Sequence, residues 1–183
     1  MAPVCSVFIA TSLDGYIARP DGDLDWLAGH ENGATSEDYG YREFMESIDA
    51  VIMGRNTFDK VMSFEKWPYS KKVVVLSNRS VEIPAHLSDK LEVMQGSPQD
   101  VITRQSQNGM DHFYIDGGNT IQQFLRAGLI QKLTITRIPV LIGDGIPLFG
   151  TLENDIELNH LYTTHFESGF VQSTYEVKSN SGK

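Results

Sequence analysis

The chain has 183 residues, 40% hydrophobic and 21% charged, which fits one globular domain with a sizeable core. Its formal net charge is −9, with 24 acidic against 15 basic side chains, so the broad basic footprint of a nucleic-acid binder is excluded. Cys5 is the only cysteine, which excludes a disulfide framework and a thiolate metal site.

No apolar run approaches the ~20 residues that cross a bilayer, and the N-terminus lacks signal-peptide features. A cytoplasmic protein with no membrane partner is expected. A single domain over residues 1–178 is expected as well, with a frayed tail at 179–183.

Residues 4–12 are almost continuously apolar and β-branched, as in a strand covered on both faces, and Cys5 within them reads as a buried, inert thiol. A turn at Leu13-Asp14-Gly15 leads to a brief apolar piece, 16–18. An irregular passage then runs from Arg19 to Ser36, and loops of that length are usually functional. Trp26 within it serves either as a substrate contact or as the anchor that packs the loop down.

Ser36 is expected to cap a helix over 37–45, with Glu37 and Asp38 in its first turn. Residues 49–54 form a second buried strand that runs into a helix start at Arg55-Asn56-Thr57. Residues 72–76 form a third strand, followed by the polar turn Ser77-Asn78-Arg79-Ser80. A weaker strand at 91–94 precedes a helix opened by Ser97-Pro98 and running to about residue 107.

The stretch Phe113-Tyr114-Ile115-Asp116-Gly117-Gly118-Asn119-Thr120-Ile121-Gln122 reads as strand, glycine pair and helix start. A strand–Gly-Gly–helix turn serves either packing or the close approach of a phosphate to bare backbone. A long strand follows at 131–141, then the loop 142–149, in which Phe149 borders either a substrate pocket or a dimer contact. Two last strands, 156–166 and 170–177, are joined by a hairpin at Ser168-Gly169.

Strands alternate with helices to residue 130 and then follow one another directly. That order predicts an α/β fold with a mostly parallel central sheet and a C-terminal antiparallel hairpin. Ligands of such sheets bind beyond the carboxyl ends of the strands. Three of these ends carry glycine or polar signals, Gly54 to Thr57, Ser77 to Arg79 and Gly117 to Thr120, and two of them contain an arginine. In an acidic chain this pattern favours a phosphate-bearing ligand. His30, His86, His112, His160 and His165 have neither metal-ligand nor nucleophile spacing, so no metal is expected.

The motif order Ile-Ala-x-Ser-x-Asp-Gly-x-Ile-Ala, Met-Gly-Arg-x-Thr-Phe, Leu-Ser-Asn-Arg and Gly-Gly-x-x-Ile resembles the dihydrofolate reductase fold. Asp116-Gly117-Gly118 together with residues 139–149 is more similar to the C-terminal reductase domain of the bifunctional riboflavin-biosynthesis deaminase/reductase. The resemblance implies a three-layer dihydrofolate-reductase-like fold and NADPH as cofactor. It implies hydride transfer to a pyrimidine- or pteridine-like small molecule, as in 5-amino-6-(5-phosphoribosylamino)uracil reduction.

By the same resemblance Ala10 and Ile17 lie against the nicotinamide, and Gly54, Arg55, Asn56 and Thr57 hold the pyrophosphate side. Ser77, Asn78 and Arg79 surround the 2′-phosphate. Gly117, Gly118, Asn119, Thr120, Ile121 and Gln122 form the pyrophosphate turn, whose glycine pair is joined by a cis bond in the family. Asp116, Asp38 and Asp14 are the candidate proton donors. Trp26 and Phe149 are the candidate substrate contacts, and beyond Arg19, or Arg42 on the next helix, the 19–36 loop has no clear basic motif to receive a substrate phosphate. A homodimer is expected. A catalytically inactive NADP(H)-binding sensor or structural protein is the alternative.

Overall fold

The computed structural model describes residues 2–28 and 37–179. Its central sheet is built from β1 (Val4–Ser12), β3 (Ala50–Gly54), β4 (Lys72–Leu76), β5 (Leu91–Met94), β6 (His112–Asp116), β7 (Ile130–Ile138), β9 (Leu158–His165) and β10 (Val171–Val177). The strand order is β5-β4-β3-β6-β1-β7-β10-β9. Pairing is parallel from β5 to β7 and antiparallel through β7, β10 and β9. The expected parallel sheet with an antiparallel C-terminal hairpin is therefore the observed one. A small second sheet pairs β2 (Tyr16–Ala18) with β8 (Ile146–Pro147). That contact is long-range, and no local sequence signal announces it.

Helices cover both faces, which is why the central strands are nearly continuous apolar runs. Alternate residues of β3 divide between two cores: Ile52 joins one, and Val51 and Met53 the other. The first core is closed by α4 (Pro98–Gln107) and α5 (Gly118–Arg126). The second is closed by α2 (Tyr41–Glu46) and α3 (Arg55–Met62). In α5 the buried Ile121, Phe124 and Leu125 recur at three- and four-residue steps, which turns one stripe of the helix onto the sheet. In α4 a capping box between Ser97 and Asp100, with Pro98 in the first turn, fixes the helix start.

Some boundaries differ from expectation. The helix expected over 37–45 begins at Tyr41, because Tyr39 and Gly40 take left-handed backbone at φ 55° and 83°. Its proposed cap Ser36, like the rest of 29–36, lies outside the described residues, as does the tail beyond 179. The passage after Arg19 contains a short helix, α1 (Asp25–Ala28). Strand β7 stops at Ile138, where Pro139 cannot donate to the ladder. No cis peptide occurs among the described residues. The turn into α5 is made instead by Gly117 at φ 91° and ψ 135°.

Candidate active site

Strands β3 and β6 are direct neighbours, with Met53 opposite Asp116, so their carboxyl ends open side by side. Each end passes through a glycine into a helix, Gly54 into α3 and Gly117 into α5. The two turns interlock. A Cβ on Gly54 would stand 2.8 Å from Thr120 Oγ1 in α5, and one on Gly117 would stand 2.2 Å from Thr57 Oγ1 in α3. Packing alone therefore accounts for these glycines. Its result is a pair of adjacent helix starts, neither of them capped by a side chain. The free first-turn N–H groups and the two dipoles favour an anion at that point.

Immediately before the second turn lies Asp116. Its Oδ2 accepts from Tyr69 Oη at 3.1 Å, and its Oδ1 accepts from the Gly117 N–H at 2.8 Å. Tyr114 points to the same side of β6, and its hydroxyl donates to the Phe8 carbonyl at 2.9 Å. Burial raises the Asp116 carboxyl above the ordinary carboxylate range, against the opposing hydrogen bonds from Tyr69, Gly117 and Tyr114. Tyr114 has one proton, and the geometry commits it to Phe8, so Tyr69 and Gly117 are the stronger holders of the carboxylate.

Burial also pushes the Tyr41 phenol up to about 12, with the Asp116 charge adding to the effect. Tyr69 and Tyr114 rise for the same two reasons, so all three phenols stay protonated at neutral pH. Aromatic rings continue the wall: Phe8 stacks on Phe44 with centroids 4.8 Å apart and leans on Tyr41 at 5.8 Å. The arrangement can hold a proton on a part-buried carboxyl beside three neutral hydroxyls and flat apolar surfaces.

The other two candidate acids are engaged elsewhere. Asp14 accepts from Ser12 Oγ at 2.6 Å and from the Gly143 and Ile142 N–H groups at 2.8 and 3.3 Å, clasping the 142–143 turn to the end of β1. Asp38 accepts from the Gly40 and Arg42 N–H groups at 3.0 and 3.2 Å and closes the start of α2. These bonds hold both carboxyls below the ordinary aspartate range.

Among the expected cofactor contacts, Ile17 Cδ1 would lie 3.0 Å from a Cβ on Gly118, so β2 covers the glycine turn. Ala10 is partly buried near the end of β1. Arg55 is bonded to Asp59 at 2.8 Å and donates to the Ser80 carbonyl at 3.0 Å. Ser77 Oγ braces its own turn through Arg79, while Asn78 and Arg79 are exposed. The Arg79 guanidinium has no hydrogen-bond or ion-pair partner among the described residues. Asn119 Oδ1 accepts from Gln123, Thr120 and Ile121 are buried, and Asn56 is exposed. Gln122 Nε2 donates to the Pro147 and Leu148 carbonyls at 3.2 and 3.4 Å and bolts down the loop before Phe149.

Trp26 is 5% exposed and packs with Ala10, Ile138, Tyr39 and Phe170, so it anchors its loop. Phe149 is 48% exposed. Sequence reasoning passed over Tyr41, Tyr69 and Tyr114. Tyr114 was within reach of it, since a residue two before Asp116 in a strand shares its face. Tyr69 sits in an irregular segment and carries no such signal. Among the described residues no group of His, Cys, Asp or Glu could hold a metal ion.

The architecture has close counterparts. A solved protein from Shewanella sp. PV-4, named for riboflavin biosynthesis, superposes with a TM-score of 0.91 at 45% identity, over 96% of this chain and 99% of its own. Dihydrofolate reductase from Enterococcus faecalis, solved with NADP(H), shares the fold at a TM-score of 0.65 and 16% identity, over 96% and 97%. The uncharacterized protein YwjB of Bacillus subtilis (strain 168) is 32% identical over 162 residues, which is 87% of this chain and 90% of that protein. The family model described as the RibD C-terminal domain matches residues 3–171. On that match the chain belongs to the RibD C-terminal domain family.

Proposed function

We propose that the chain is an NADPH-dependent reductase of the riboflavin-pathway type, acting on a pyrimidine- or pteridine-like heterocycle. The observation that carries this reading is the pair of interlocked, uncapped helix starts with a protonatable carboxyl, Asp116, one residue before the second. The residues present fit the cofactor. The first-turn N–H groups of α3 and α5 suit a pyrophosphate, and the unpaired Arg79 suits a terminal phosphate. Arg55, already bonded to Asp59 and Ser80, serves by tying two ligand-facing loops together.

Bound NADPH would supply hydride to an electron-poor C=N or C=O carbon. The chain's part is to orient the acceptor, exclude water and deliver the matching proton to the heteroatom. Phe8 and Phe44 offer flat surfaces for a ring. Asp116 in its acid form gives the proton, directly or through one water, and Tyr69 keeps the carboxyl aimed. Burial keeps that acid form populated at higher pH than for an exposed aspartate.

Thermal melting and tryptophan fluorescence with added NADPH or NADH test the cofactor, with NADPH expected to give the larger response. Decay of NADPH absorbance across a panel of pyrimidines, pterins and quinones tests turnover. NADPH binding without turnover of any acceptor would favour the alternative of an inactive sensor. We also propose a homodimer and a cytoplasmic location. Strand β9, an edge of the sheet with every residue exposed and no acidic side chain, Lys or Arg, supports the dimer.

A further inference from the structure

Three phenols surround the Asp116 carboxyl, and their hydrogen bonds divide them. Tyr69 donates to Asp116 at 3.1 Å, and Tyr114 donates to the Phe8 carbonyl at 2.9 Å. Each therefore spends its one proton on the protein. The Tyr41 hydroxyl has no hydrogen-bond partner among the described residues.

The place of Tyr41 follows from the fold. Helix α2 ends just before β3 begins, so its first residue, Tyr41, lies toward the carboxyl ends of the parallel strands, where ligands of such sheets bind. Tyr41 and Phe44 share a face of α2, and both rings meet Phe8 on β1, Tyr41 at 5.8 Å and 59° between planes. Phe44 in turn meets Tyr114 on the adjacent β6 at 5.1 Å and 84°. The Tyr41 ring is thus fixed by the aromatic wall while its polar end stays unbonded. Burial and the Asp116 charge keep the phenol protonated, so at neutral pH it is a donor that has lost part of its water without gaining a protein acceptor. Packing explains the ring, and a phenylalanine would serve that purpose. It leaves the hydroxyl unexplained.

We propose that Tyr41 is a specificity-determining residue whose hydroxyl donates a hydrogen bond to a ring carbonyl of the acceptor heterocycle. This rests on the reductase reading above and concerns only the acceptor. With the heterocycle against the Phe8 and Phe44 wall, Asp116 meets the heteroatom that takes the proton, and Tyr41 meets a second atom of the same ring. A carbonyl oxygen carries its lone pairs in the ring plane, where a donor at the edge of the wall reaches them. A ring without a carbonyl strands the phenol, which then gives up its remaining water for nothing. A site that hydrogen-bonds a substrate group rejects the analogue lacking it more strongly than an apolar wall does. Tyr69 takes over this contact only by releasing Asp116, and Tyr114 only by releasing Phe8.

The test uses the full chain saturated with oxidised NADP and two probes, 6-aminouracil and 4-aminopyrimidine, which differ in the two carbonyl oxygens. NMR titration should show the parent chain binding 6-aminouracil about tenfold tighter or more. Tyr41→Phe should shrink that preference by about five- to tenfold, through weaker binding of 6-aminouracil with 4-aminopyrimidine unchanged. Its Tm should stay within about 1 °C of the parent, because the hydroxyl holds no part of the fold. Equal losses for both probes, with or without a lower Tm, would reduce Tyr41 to a packing residue and overturn the inference. An unchanged preference in the variant overturns it too, as does binding of neither probe by the parent. NADPH binding by fluorescence in the same samples reports separately on the reductase reading.

Discussion

Replacing Gly117 by Ala tests the interlock on which the site is built. Gly117 sits at φ 91°, where a side chain costs ~1–2 kcal/mol in backbone strain alone. The new Cβ would also fall 2.2 Å from Thr57 Oγ1 and 3.3 Å from Thr57 Cβ. Rotating the hydroxyl relieves the first contact but not the second, so overpacking adds about 1–3 kcal/mol. The total of ~2–5 kcal/mol should lower Tm by on the order of 10 °C in a domain of this size.

Gly54→Ala is the control for the backbone term. Gly54 has an ordinary φ of −81°, and its Cβ would stand 2.8 Å from Thr120 Oγ1, so only packing is at stake, about 1–2 kcal/mol. Removing the opposing hydroxyls should rescue the two variants differently. Thr120→Ala should restore most of the Gly54→Ala loss, while Thr57→Ala should restore only the steric part of the Gly117→Ala loss. Urea denaturation of the single and double variants measures both couplings. A Gly117→Ala protein as stable as the parent, or a Gly117/Thr57 coupling within ~0.5 kcal/mol of zero, refutes the reasoning.

Four further outcomes are expected. Asp116→Asn should abolish most turnover while stabilising the fold at neutral pH, because burial favours the uncharged form; the gain should vanish as pH falls below the ordinary aspartate range. Tyr69→Phe removes a bond that favours the charged carboxylate, so the descending limb of the pH–rate profile should move to higher pH, and an unchanged limb would remove Tyr69 from that role. Arg79→Ala should weaken NADPH by roughly ten- to a hundredfold and NADH far less, measured by fluorescence titration, because a charge-assisted contact is worth about 1.5–3 kcal/mol. Leu161→Lys, at a residue 48% exposed on β9, should shift sedimentation from dimer to monomer without lowering Tm, and a dimer that survives it places the interface elsewhere.

Local signals carried much of the secondary structure. Strands 72–76 and 91–94 and the helix opened by Ser97-Pro98 lie where their apolar runs and cap residues place them, because each depends on neighbours within a few residues. The start of α2 escaped such reading: Tyr39 and Gly40 take left-handed backbone, and Tyr39 meets Phe166 edge-on and stacks on Phe170, far along the chain. Trp26 escaped for the same reason, since its partners Ile138 and Phe170 are more than a hundred residues away.

The sequence by itself determined the strand–glycine–helix units, the burial of the central strands and the order of motifs, all properties of short windows and their succession. Tertiary structure alone decided how the glycine turns serve one another, because Gly54 meets Thr120 and Gly117 meets Thr57 only once β3 and β6 are paired. It also separated the three candidate acids. Asp14 and Asp38 spend their oxygens on backbone N–H groups, whereas Asp116 is carried by a central strand to a part-buried position that Tyr69 reaches from 47 residues away. A carboxyl's proton affinity depends on what surrounds it in space, and for Asp116 most of those surroundings come from distant parts of the chain.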